Sequence, residues 1–186
     1  MAVSTNDLKN GMTLDLGDGL FSVVEFQHVK PGKGGAFVRT KLRNARTGAV
    51  IEKTFRADEK LEQAIIDKRE AQFLYMDGAD FVFMDQTTFE QTTVAPASLG
   101  DAIHYLKVGN TANLHSYGDE IIGVELPASV ELIVSDTEPG IQGDRVSGAK
   151  KPATLETGVT IQVPLFVNVD DVIKVDTRTG EYMTRA

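Results

Sequence analysis

The sequence predicts an all-β protein assembled from three small barrel domains. Helical periodicity is scarce along the chain, whereas apolar–polar alternation recurs throughout. Glycine-containing turn signals separate the alternating runs at short intervals, as expected of small barrels or sandwiches.

The first run is Leu14–Leu16, a Gly17–Gly19 turn and a strand from Leu20 to Val29. Lys30–Gly35 is a turn and Ala36–Arg43 the returning strand, with Val38, Thr40 and Leu42 on one face. Arg46–Gly48 turns the chain into a further strand over Ala49–Phe55. Asp58–Ile66 fits either a helix, through Leu61, Ala64 and Ile65, or a polar linker, and a domain boundary is placed there. Ala71–Met76 and Asp80–Asp85 flank Asp77-Gly78, a strong hairpin signal. Leu99–Leu106 predicts a single short helix, closed by Lys107–Asn110. Strands resume at Ala112–Tyr117 and Ile121–Leu126, and Pro127 marks the second boundary. Val130–Val134 is a strand, Glu138–Thr154 a long polar loop, and Thr160–Val167, Val172–Asp176 and Glu181–Met183 are the last strands. The predicted domains are therefore 1–64, 65–127 and 128–186. The middle and last both have strand counts compatible with the oligonucleotide-binding (OB) fold.

Composition narrows the function. Zero cysteine among 186 residues excludes disulfides, thiolate metal sites and cysteine nucleophiles, and suits a reducing cytoplasm. The opening MAVSTNDLKNGM lacks the apolar core of an export signal, and no apolar run is long enough to span a membrane. The chain carries 19 basic and 27 acidic side chains, net −8, which argues against a simple electrostatic nucleic-acid binder. The imbalance is uneven. Residues 1–64 hold 10 bases and 8 acids, whereas residues 65–128 hold 3 and 10, net −7. Between Lys30 and Arg46 there are six bases and no acid, so an acidic body carries a basic patch suited to docking on a polyanion.

Within that patch, Pro31-Gly32-Lys33-Gly34-Gly35 places one long amine at the centre of a turn with no bulky neighbour. Such a finger can enter a narrow crevice, or it can be an ordinary solvated turn. Gly34 follows the lysine, so this is not a nucleotide-binding P-loop, which requires Ser or Thr there. Arg39, Lys41 and Arg43 alternate along the returning strand and share one face, either a phosphate track leading to the finger or a solvated sheet surface. Gly143-Asp144-Arg145, with Lys150 and Lys151 downstream, lies in the long loop, where exposed amides could read a single strand or simply face solvent. His28, His104 and His115 are far apart in sequence, and no catalytic or metal-binding motif is present.

Three segments together resemble bacterial elongation factor P: His28–Arg39, Asp80–Gln91, and Lys151–Thr154 leading into Val163–Val167 and Ile173–Tyr182. The resemblance runs along essentially the whole chain in the right order. Two departures are Asp170, where the family pattern has Gly, and Arg145, where it usually has Thr. The resemblance implies an N-terminal KOW/SH3-like domain and two OB-type domains in an L shape that mimics tRNA. It implies a non-enzymatic factor without cofactor or metal, acting as a cytoplasmic monomer on the 70S ribosome between the P and E sites. There it would contact rRNA and the P-site peptidyl-tRNA and relieve stalling at consecutive prolines. Lys33, flanked by Pro31, Gly32, Gly34 and Gly35, matches the tip lysine beside the CCA end of the tRNA, which a lysine-modifying enzyme alters in many members. Lys30, Arg39, Lys41 and Arg43 become tRNA or rRNA contacts. Gly143, Asp144 and Arg145 align with the loop that approaches the E-site mRNA codon. Competing readings are a generic single-stranded nucleic-acid binder, an enzyme, and a lysine-bearing carrier.

Overall fold

Alternation becomes strand wherever one face can be buried. In the computed structural model, which describes residues 1–140 and 148–186, this happens in three antiparallel sheets.

The first sheet contains β1 (Ala2–Ser4), β2 (Thr13–Asp15), β3 (Leu20–Val29), β4 (Phe37–Asn44), β5 (Val50–Arg56) and β6 (Lys60–Gln63), in the order β1-β6-β2-β3-β4-β5. Leu14, Phe21, Val23, Val38, Leu42, Phe55 and Leu61 form its core with Leu8. Thr40 is the polar exception on the buried face of β4, and its hydroxyl donates to the Lys53 carbonyl at 2.7 Å. The β3–β4 register shifts between Val23 and Glu25, leaving Val24 as an extra residue. This bulge returns Phe26 to the core side after the parity of the strand has changed.

The second sheet runs β11-β10-β7-β8-β9. Its strands are β7 (Asp67–Asp77), β8 (Asp80–Asp85), β9 (Gln91–Val94), β10 (Thr111–Tyr117) and β11 (Glu120–Glu125). Phe73 stands 5.5 Å from Phe81 and 5.4 Å from Phe83, centroid to centroid. The third sheet runs β14-β13-β12-β15-β16, from β12 (Ser129–Thr137), β13 (Lys150–Leu155), β14 (Thr160–Pro164), β15 (Val172–Asp176) and β16 (Tyr182–Arg185). Its core is Val130, Leu132, Val134, Leu155, Val163, Val167, Ile173 and Val175, with Tyr105 and Tyr182 packed against it.

The chain divides into two compact units, Met1–Lys68 with His115–Gly123, and Arg69–Leu114 with Val124–Ala186. Within the first, Ile122 joins Leu20 and Ala64 in a small apolar cluster. There the Tyr117 hydroxyl donates to Asp15 at 3.2 Å, and Arg46 pairs with Glu120 at 2.7 Å. Within the second, Lys107 pairs with Glu156 at 3.0 Å.

Three expectations need correction. Asp58–Ile66 is neither helix nor linker: β6 pairs with β1 and β2 and buries Leu61. Alternation over only four residues was too short to outweigh the helical spacing. Leu99–Leu106 is not one helix. A turn of α-helix, α1 (Pro96–Leu99), gives way to a 3-10 turn over Gly100–His104, because Gly100 leaves helical space at φ 53°. The long polar loop is shorter than predicted, since β13 begins at Lys150 despite Pro152, which pairs with Gln162. Lys151 is correspondingly buried rather than loop-borne. Two short strands, β1 and β9, carried no recognised signal. Among the described residues, no helix is long and apolar enough to cross a membrane.

Candidate functional site

β3 and β4 pair out to Val29 and Phe37, and the chain between them forms the finger. The Ala57 amide donates to the Ala36 carbonyl at 3.0 Å, tying its base to the end of β5. Every residue from Lys30 to Gly35 is exposed. Gly34 takes φ 131°, a conformation that side-chain-bearing residues rarely adopt, so its glycine is required by the turn. A β-carbon at Gly32 or Gly35 would meet nothing within 4 Å. Lys33 therefore stands on a narrow, uncovered tip. It makes no hydrogen bond or ion pair with any described residue, leaving its ammonium free to meet something outside the chain.

Arg39, Lys41 and Arg43 lie on the exposed face of β4, while Val38, Thr40 and Leu42 between them are buried. Their neighbours differ. Lys41 stands opposite Glu25 on β3 and Glu52 on β5, with an ammonium–carboxylate distance of 3.5 Å to Glu25. Arg39 faces Gln27 and Thr54, and Arg43 faces Ser22 and Val50. Among the described residues, the middle cation forms an ion pair and the outer two form none. Sequence reasoning missed this because Glu25 and Glu52 lie outside the acid-free run and reach the row only through strand pairing. Lys30 is exposed at the start of the finger. Gly143, Asp144 and Arg145 lie outside the described residues.

Lys151, expected downstream in that loop, is buried, and its ammonium donates to the Glu138 carbonyl at 2.6 Å. The histidines sit on three different elements. His28 makes an edge contact with Phe26 at 5.7 Å, His104 lies against Tyr105 at 6.5 Å, and His115 belongs to β10. Among the described residues, no three His, Asp or Glu side chains are grouped to hold a metal ion.

Comparison with known proteins covers nearly the whole chain. Residues 4–61 match the elongation factor P KOW-like domain, residues 66–124 the elongation factor P OB domain, and residues 130–185 the elongation factor P C-terminal domain. These matches define the class: a translation elongation factor, not an enzyme in the usual sense. Elongation factor P of Pelotomaculum thermopropionicum is 57% identical over 183 residues, spanning 98% of this chain and 99% of that protein. That of Streptomyces avermitilis is 60% identical over 183 residues, 98% of this chain and 97% of that protein. The chain belongs to the elongation factor P family. A solved structure of the eukaryotic translation initiation factor 5A from Methanococcus jannaschii is also similar, at TM-score 0.55 and 25% identity. The match covers 68% of this chain and 92% of that one.

Proposed function

We propose that this elongation factor binds the 70S ribosome between the P and E sites and promotes peptide-bond formation at consecutive prolines, with Lys33 beside the CCA end of the P-site tRNA. The observation that carries the reading is the finger, an uncommitted ammonium on a tip too narrow to hinder its own entry into a crevice. Proline is a rigid peptidyl donor and acceptor. A positive group with three donors beside the tRNA end would hold the reactants in a productive geometry, and orientation of this kind contributes up to about 7–11 kcal/mol at its limit. The chemistry stays with the ribosome and the factor supplies position.

Arg39 and Arg43, with Lys30 and Lys41, meet rRNA or tRNA phosphates on the way to the tip. Lys33 is also the residue a modifying enzyme would reach, since any addition to its amine extends into open space. Gly143, Asp144 and Arg145 approach the E-site codon. The reading takes the chain as three domains, 1–64, 65–127 and 128–186, working as a cytoplasmic monomer.

Reconstituted translation of a reporter with three consecutive prolines tests it. Protein from the native host should restore synthesis past the prolines, and Lys33→Ala should abolish rescue while leaving the unfolding curve unchanged. Normal rescue by a folded Lys33→Ala protein would overturn the reading.

A further inference from the structure

The sheet of the first unit has two faces. Leu14, Val23 and Leu42 belong to the core face. On the other face, strand register sets Thr13 opposite Ser22 and Ser22 opposite Arg43, one rung across β2, β3 and β4. Side chains opposed in this way stand about 4.5–5.5 Å apart on one face. All three can donate hydrogen bonds, and Arg43 adds a positive charge. The Thr13 and Ser22 hydroxyl oxygens are 3.4 Å apart. A firm bond between two hydroxyls is about 2.7–2.8 Å, so neither proton is tightly held. A stronger acceptor placed beside the rung would draw both.

The rung lines a cleft of about 570 Å³ within the same unit. The apolar part of the lining includes Ala64 and Ile122, which are buried, and Ile66, which packs against them. Ile65 also lines the cleft and is 63% exposed, aliphatic surface that nothing in the chain covers. Lys68 and His115 complete the basic part. None of the described residues lining the cleft is acidic, although the chain has 27 acids against 19 bases. Carboxylates nearby are occupied elsewhere. Asp15 accepts from the Tyr117 hydroxyl at 3.2 Å, and Glu120 pairs with Arg46 at 2.7 Å.

Hydroxyl and guanidinium donors beside uncovered aliphatic surface suit a phosphate ester joined to a flat, weakly polar ring. We propose that the cleft binds a free nucleoside diphosphate, its phosphates held by Thr13, Ser22, Arg43 and Lys68 and its base laid on Ile65 and Ile66. Arg43 and Lys68 come from different strands, β4 and β7, and a diphosphate offers charge to both. Inorganic phosphate alone would leave the isoleucines in water. A nucleic-acid strand is disfavoured by what lies next to the site. The neighbouring rung on this face sets Asp15 opposite Glu62. A polynucleotide continuing that way brings its phosphates against two carboxylates, whereas a free nucleotide ends within the cleft.

The inference does not rest on the ribosomal reading. Isotope-labelled full-length protein is titrated with ADP, adenosine, inorganic phosphate and a hexanucleotide RNA, and its amide shifts are followed by NMR. ADP should give saturable shifts centred on Thr13, Ser22, Arg43 and residues 65–68. Adenosine and phosphate should each bind at least about tenfold more weakly. Arg43→Gln should weaken ADP binding about tenfold, and the charge-neutral Ser22→Ala about threefold. Arg39→Gln removes the same charge from the same strand face outside the cleft, and should bind as wild type does. No saturable shift at millimolar ADP overturns the inference. So do shifts centred elsewhere, undiminished binding by both Arg43→Gln and Ser22→Ala, an equal loss in Arg39→Gln, or tighter binding of the hexanucleotide than of ADP.

Discussion

The Lys151 ammonium donates to the backbone carbonyl of Glu138 at 2.6 Å. A buried cation thus ties the start of β13 to the chain just beyond β12. Removing it gives up a charge-assisted hydrogen bond and the packing of a buried side-chain stem. Lys151→Ala should lower unfolding free energy by about 1–3 kcal/mol, measured by urea titration. An unchanged midpoint would show that water replaces the ammonium without penalty.

Gly180 should tolerate no side chain. A β-carbon there would combine a left-handed φ of 72° with a Tyr105 hydroxyl oxygen 2.5 Å away. Gly180→Ala should lose at least about 1–2 kcal/mol from backbone strain alone. Adding Tyr105→Phe should restore part of the loss by removing the oxygen. A thermal-melt double-mutant cycle measures this coupling, and simple additivity would refute the contact.

Asp170 takes φ 67°, a left-handed conformation that glycine adopts without strain. Asp170→Gly should stabilise the protein by up to about 1 kcal/mol. Calorimetry checks the sign, and a destabilised variant would mean the carboxylate makes a compensating contribution.

Three turns share one hydrogen-bond pattern, in which the Oδ1 of Asn44, Asp85 or Asp176 accepts the backbone N–H groups two and three residues on, and they should differ in their response to acid. The Thr88 and Thr87 amides hold the Asp85 carboxyl below its ordinary value of 3.8, and those of Arg178 and Thr179 do the same for Asp176. A depressed folded-state pKa contributes stability that is present above the ordinary carboxylate value and lost as pH falls through the lower, folded one. The Asn44 turn has no such proton to gain. Asp85→Asn with Asp176→Asn should therefore keep both turns and flatten the acid limb of stability against pH. An unchanged acid limb would sink the argument.

The basic row should not act uniformly. Arg39→Ala and Arg43→Ala should each reduce the salt dependence of ribosome binding by about one counterion. Lys41→Ala should do less, because Glu25 and Glu52 already offset it. Equal effects at all three positions would show that the acids turn away on binding.

Long alternating runs made most of the fold legible. Leu14, Val38, Leu42 and Phe83, all in such runs, reach the core. Two of the failures share one cause, that partners distant in sequence decide short segments, whereas the break in Leu99–Leu106 is local to Gly100. Lys60–Gln63 becomes a strand because β1 and β2 flank it, and Lys150–Leu155 because β12 and β14 do. The finger was readable because glycine and proline act locally. The neutralisation of Lys41 was not, since strand pairing brings its acids from 16 and 11 residues away.

Val24, the residue left over where β3 passes β4, separates two properties that usually travel together. Deleting it would leave Val23 opposite Leu42, Glu25 opposite Lys41 and Phe26 opposite Thr40, a continuous ladder with the same inward side chains. What would vanish is the extra local twist a bulge imparts. The domain could then fold normally yet aim Lys33 along a different line, a pointing error introduced nine residues from the lysine itself.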